Sequence, residues 1–151
     1  MVKKLTCVFC EISRKEKSAH VVYEDKDIMV ILDINPISKG HLLVIPKEHH
    51  EAIQDTPVRT LVKTWIVASA FAKIYRDKLK APGVNVITNS GSPAGQVIFH
   101  FHVHVIPRWE QDGFKKGGRH SLSEEEAVEV TKMLSDHLDI VKSYLNEFPT
   151  I

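Results

Sequence analysis

The run "HFHVHVIPR", His100 to Arg108, constrains this chain more than any other stretch. Histidine falls at every second position, with Phe101, Val103 and Val105 between, and a period of two belongs to a β-strand, whose alternate side chains face opposite ways. A fold that accepts this run must bury the apolar face against a core and give His100, His102 and His104 a common polar side. On an extended strand neighbouring members stand about 6.6 Å apart, at about 3.3 Å of rise per residue, so they address different parts of one ligand. Thr or Lys would serve an idle exposed face, and unpaired buried imidazoles are costly. Three aligned histidines therefore point to chemistry, either metal ligation or nucleophilic and acid–base work near neutral pH.

The elements around the run are legible from periodicity. Apolar runs at Val21–Tyr23 and Ile28–Leu32 flank a charged turn, Glu24 to Asp27, and predict a hairpin. His41 to Ile45 predicts a third strand ended by Pro46, which has no N–H for a ladder. From Asp55 to Lys80 the period changes to three and four, through Val58, Leu61, Val62, Trp65, Ala68 and Tyr75, predicting one long helix with Asp55 or Thr56 as N-cap. Val84 to Thr88 predicts another strand. The tail from Ser121 or Ser123 to Leu145 reads as one terminal helix, with Ser123 and Glu126 spaced as a capping box. The order suggests an α+β fold with an antiparallel sheet, one long helix and a C-terminal helix. We expect a single domain over 1–151, with its core at about 7–108 and a C-terminal helical segment at about 121–147.

Charge narrows the partners. The formal net charge is +1, and no Lys/Arg block exceeds two residues, which argues against a nucleic-acid backbone or an anionic membrane as main partner. No stretch is apolar for the 18 residues or so that a membrane span needs. The N-terminus lacks the apolar core of a signal peptide, and Cys7 and Cys10 are too close to staple a large loop, so the expected location is cytoplasmic. A small ligand is the expected partner.

Cys7-x-x-Cys10 has the spacing of a thiolate zinc knuckle, which needs two further nitrogen or sulfur ligands. "PKEHH" offers His49 and His50, and the run offers its outermost member, His100. A structural zinc held by Cys7, Cys10, His49 and His100 would tie the N-terminus to the sheet. A thioredoxin-type redox pair would sit in a βαβ context that is missing here, and a catalytic zinc on all three histidines of the run would need an open position and no thiolates. The loop "NSGSPAGQ" just before the run supplies Gly91 and Gly95 for close backbone approach to a phosphate. It also supplies Asn89, Ser90, Ser92 and Gln96 as polar side chains.

With these residues in place, "HFHVHVI" resembles the histidine triad (HIT) pattern, His-φ-His-φ-His-φ-φ with φ hydrophobic. The similarity extends to Gly95-Gln96, "LDINP", "GHLLVIPKEH" and "NVITNSG", from about Cys7 to Arg108. The resemblance implies a HIT-like α+β unit paired as a homodimer with sheets joined across the interface. It also implies a purine nucleotide or nucleotide conjugate as ligand, and hydrolase or nucleotidyl transferase chemistry at the α-phosphate. By position, His102 would be the nucleophile, with His104 and Gln96 holding phosphate oxygens or the leaving group. Asp33 and Ile34 would line the nucleoside pocket, Asp33 reaching ribose hydroxyls, with His41, Asn89 and Gly95 on the phosphate side. Cys7, Cys10, His49 and His100 match the ligand places of zinc-carrying members of bacterial or archaeal type. Val97 departs from the phosphoramidase branch, which carries Ser there. A nucleotide-binding interaction protein with little turnover is the alternative, and substituting His102 separates the two.

Overall fold

The computed structural model describes residues 6–112 and 119–148. The histidine run supplies the inner strand of an antiparallel sheet. In chain order the strands are β1 (Val21–Glu24), β2 (Ile28–Leu32), β3 (Leu42–Pro46), β4 (Gly83–Ile87) and β5 (Val103–Arg108). Their spatial order is β1-β2-β3-β5-β4, every neighbour antiparallel. Asp25 closes the first hairpin, its Oδ1 accepting from the N–H groups of Asp27 and Ile28, an Asx turn of the kind Asp favours.

Helices cover both faces. The long helix α2 (Val58–Lys73) lays Val67, Ala68 and Phe71 against Val30, Leu42, Val44, Val103 and Val105. On the opposite face the short helix α1 (Val8–Ser13) packs Phe9 and Ile12 on Met29, Ile31, Leu43 and Ile45. This explains why β2 and β3 are apolar at every position rather than alternating: both faces are buried. Sequence patterning did not mark α1.

The expected elements shift where side-chain bonds compete with the backbone. The long helix starts at Val58, not Asp55, because Asp55 lies in a 3-10 turn, Ile53–Asp55, and the Thr56 hydroxyl donates to the Ala52 carbonyl instead of capping. It loosens into a π-turn at Ile74–Lys78, and Lys80 then takes φ +59° to end it. The π-turn aims Tyr75 inward, where its hydroxyl donates to the Gly40 carbonyl. A Cβ on Gly40, at φ +96°, would lie 2.8 Å from that hydroxyl, so glycine is required there. The expected terminal helix is two, α3 (Glu124–Ser135) and α4 (Asp139–Asn146). The break lets α3 meet β1 while α4 packs on α2. Ser123 caps α3 by accepting the Glu126 N–H, but the Glu126 carboxylate takes His120.

The run itself is only partly strand. Its ladder starts at Val103; ahead of it the Phe101 N–H donates to the His50 carbonyl at 2.6 Å and the Thr88 hydroxyl to the His102 carbonyl at 2.7 Å. Loop bonds thus replace sheet bonds at the first two histidines. The alternation survives: Phe101, Val103 and Val105 enter the core under α2, while His104, opposite Leu43, faces the α1 side.

Candidate functional site

His100, His102 and His104 share a face but enter different environments. His100 turns to the cysteines. Cys7 is the N-cap of α1, and the first helical turn brings Cys10 alongside it. His100 Nδ1 lies 3.4 Å from Cys7 Sγ and 3.7 Å from Cys10 Sγ, while His49 Nδ1 lies 3.5 Å from Cys10 Sγ and 3.1 Å from His100 Nδ1. A zinc tetrahedron with bonds of about 2.0 Å to nitrogen and 2.3 Å to sulfur has edges of roughly 3.3–3.8 Å. The donors fit that shape. His100 Nε2–H donates to the Pro46 carbonyl at 2.7 Å, which leaves Nδ1 as a lone pair pointed at His49 Nδ1. His49 Nδ1, 3.1 Å away, must meet that lone pair either with a proton of its own or through a shared cation. Burial, followed by the Cys7 side chain, pushes the Cys10 thiol up to about 11, and a divalent cation reverses that preference by binding the thiolate. His50, the other candidate in "PKEHH", has its Nε2 turned toward Glu48 at 3.2 Å and stays outside the cluster.

His102 points into a cleft of about 430 Å³, within the usual range for small-molecule sites. Its Nδ1 lies 2.7 Å from the His100 carbonyl, so Nδ1 carries the proton and Nε2 keeps the lone pair. Phe9 of α1 packs edge-on to this ring, centroids 5.2 Å apart. One backbone carbonyl therefore links the two sites: His100 gives its ring to the cysteine cluster and its C=O to His102.

His104 is set by a second relay. The Ile37 N–H donates to His41 Nδ1 at 3.0 Å, which puts the His41 proton on Nε2. That Nε2–H donates to His104 Nδ1 at 2.9 Å, leaving His104 with Nε2–H as a donor. Burial, before any neighbouring charge, pushes His41 down to about 4 and His104 to about 3, and it also lowers His102. All three imidazoles are neutral at pH 7.

Most expected residues meet here. Asp33, Ile34, Asn89, Gly95, His102 and His104 line the cleft, and Cys7, Cys10, His49 and His100 meet in the metal-type cluster. Two differ. His41 is buried behind the lining and reaches the cleft through His104 and Asp33. Gln96 does not line the cleft: its Nε2 donates to the Glu51 and Ile98 carbonyls, and its Oε1 accepts the Gly91 N–H. It braces the loop because Gly91 and Gly95, at φ +91° and +97°, fold that loop back on itself. Sequence reasoning missed Phe9, hidden between the cysteines as an ordinary apolar residue, and Arg119, which lines the cleft beside Asp33. A larger cavity, about 730 Å³, opens beside the N-terminus of α2 among Lys26, Lys47, Arg59 and Lys63. It holds neither histidine nor cysteine, whereas His102 and His104 line the smaller cleft.

Comparison with known proteins agrees with this geometry. The HIT domain profile matches residues 14–111. The chain is 40% identical over 139 residues to the adenylylsulfatase HINT3 of Arabidopsis thaliana, covering 87% of this chain and 69% of that protein. A hypothetical histidine triad nucleotide-binding protein from Sulfolobus tokodaii superposes with a TM-score of 0.81 at 36% identity, over 96% of this chain and all of that one (100%). A zinc-bound histidine triad family protein from Mycobacterium smegmatis gives 0.79 at 35% identity, over 91% of this chain and 96% of its own.

Proposed function

Since this chain belongs to the HIT domain family, we propose that it is a nucleotide hydrolase or nucleotidyl transferase acting at the α-phosphate of purine nucleotide conjugates through a nucleotidyl-His102 intermediate. The observation that carries the reading is the His102–His100 bond: the carbonyl holds Nδ1–H, so a neutral Nε2 lone pair faces the cleft. A relative named an adenylylsulfatase and a neighbour named nucleotide-binding support an adenylylated substrate.

In the first step His102 Nε2 attacks the α-phosphorus, the bond to the leaving group breaks, its electron pair departs with that group, and an amine leaving group takes a proton from solvent. The imidazole becomes cationic, and the His100 carbonyl steadies its Nδ1–H. His104 Nε2–H donates a hydrogen bond to a phosphate oxygen or the leaving atom. Water then attacks phosphorus, the P–N bond breaks, a proton goes to solvent, and the nucleoside monophosphate leaves with His102 neutral again. Little covalent assistance is needed, since phosphoryl transfer rests on positioning and charge stabilisation. Asp33 and Ile34 would hold the nucleoside, and Asn89 and Gly95 the phosphate side. Cys7, Cys10, His49 and His100 would hold a structural zinc, which supplies cross-linking charge to the α1 wall and no step of the reaction.

We further read the chain as one domain that works as a cytoplasmic homodimer. The open edge of β4 and the half-buried Leu61, Trp65 and Tyr144 around α2 support the dimer, and the free Cys7 and Cys10 support the location. Among the described residues no helix is long and apolar enough to cross a membrane.

The test is a single-turnover reaction with adenosine 5′-phosphoramidate labelled at the phosphate, quenched in alkali to spare phosphohistidine. Label on the His102 peptide and retention of configuration at phosphorus are expected. Turnover with inversion would overturn the covalent route. Tight AMP binding without any turnover would return the chain to the binding-protein reading.

A further inference from the structure

The HIT profile stops at residue 111, yet the cleft has a wall from beyond it. Residues 119–122 run alongside 34–36: the His120 N–H donates to the Pro36 carbonyl at 3.1 Å and the Leu122 N–H to the Ile34 carbonyl at 2.9 Å. Leu122 packs on the main core, and His120 pairs with Glu126 in the first turn of α3, so the strap is anchored at both ends. Arg119 points from it into the cleft. Its Nη1 donates to the Asn35 carbonyl at 2.7 Å and lies 3.4 Å from Asp33 Oδ2.

Asp33 is thereby held on two sides. Its Oδ1 accepts the Asn35 N–H at 2.8 Å, while Oδ2 stands between Arg119 and His41 Nε2, the latter at 3.6 Å. Without the guanidinium, the only cationic group at Oδ2 among the described residues is gone and the carboxylate is free to turn toward His41. It would then leave the direction in which it can accept from a ligand. We propose that Arg119 is a positioning residue for Asp33 and so sets the preference for a ribose over a sugar lacking its hydroxyls. The proposal rests on the reading that Asp33 receives ribose hydroxyls. A residue outside the family-matched region would then tune the nucleoside end of the site.

The experiment measures Kd for AMP and for 2′,3′-dideoxy-AMP by calorimetry, so it needs no turnover and stands apart from the covalent mechanism. Wild type should prefer AMP, and Asp33→Ala should erase that preference. Arg119→Ala should weaken AMP about tenfold, the scale of one charge-assisted hydrogen bond, and change dideoxy-AMP less than twofold. Arg119→Lys should restore part of the ratio. Equal weakening of both ligands by Arg119→Ala, as expected for direct phosphate binding or a general loss of structure, would overturn the proposal. So would an unchanged ratio in Arg119→Ala while Asp33→Ala still erases it. A wild type that does not discriminate would overturn the ribose role of Asp33 itself.

Discussion

Two buried clusters flank the same histidine run, and they look alike as donor sets. Cys7, Cys10, His49 and His100 form one; Asp33, His41 and His104 form the other; in each, the potential ligand atoms lie within 4.8 Å of one another. What separates them is a single backbone group on the far side of a ring. At His100 the Pro46 carbonyl takes the Nε2 proton, so a lone pair faces inward. At His41 the Ile37 N–H occupies Nδ1, so a proton faces inward and already holds His104. The first cluster suits a cation, whereas a cation in the second would have to displace a proton that the backbone keeps in place. Donor identity alone does not define a metal site; the tautomer does.

The sharpest separation comes from His102, which belongs to neither ligand set. In His102→Ala, turnover should fall by about 10⁴-fold or more and the trapped label should vanish, while zinc measured by atomic absorption stays at wild-type stoichiometry. Loss of zinc with the label would mean that the two sites are one.

Next in size is the proposed structural zinc. At free zinc 100 times its Kd, binding adds about 2.7 kcal/mol to stability, worth roughly 5–10 °C of Tm in a chain of this length. Chelation, or Cys7→Ser with Cys10→Ser, should lower Tm by that much. Because Val8, Phe9 and Ile12 line the cleft from α1, AMP affinity should fall as well. Added zinc should not bind the double variant at Asp33, His41 and His104; tight binding there would break the comparison.

Acid should act on the second cluster. Burial keeps His41 at about 4 against 6.5 for a free imidazole, so between these values the unfolded chain binds more protons than the folded one. Stability is full above about pH 6.5 and is lost as pH falls toward 4. The urea midpoint should drop through this window, and less steeply in His41→Ala than in wild type. Equal slopes would show that other groups control the acid response.

How much of this was legible in the sequence follows from the same physics. The alternation of the run foretold which face each histidine takes, because pleat geometry does not depend on partners. The cysteine spacing pointed to a thiolate knuckle without its helix, and the structure places His49 and His100 beside the pair. The tautomers were hidden, since they depend on Pro46 and Ile37 carbonyl and amide groups brought close by β3 and its approach. Helix α1 was hidden because six residues are too few for periodicity and its capping atom is a sulfur, Cys7 Sγ, rather than the oxygen of a usual N-cap. Arg119 lies 86 residues from Asp33, and no pattern links them.

Gln96 offers the smallest and most discriminating test. The resemblance carried by "GQ" implies a place beside the phosphate, but the structure uses Gln96 in three polar contacts that tie Glu51, Gly91 and Ile98 together. A brace and a ligand lose different things on truncation. Gln96→Ala should cost about 1 kcal/mol as the freed loop groups turn to water, a Tm shift of roughly 2–4 °C. Turnover should fall only a few-fold, because His102 Nδ1 and His104 Nδ1 keep their partners, the His100 carbonyl and His41, in the absence of the amide. A hundredfold loss of kcat at unchanged Tm would mean that Gln96 leaves its loop contacts to meet the substrate, and that the brace seen here belongs to the free protein alone.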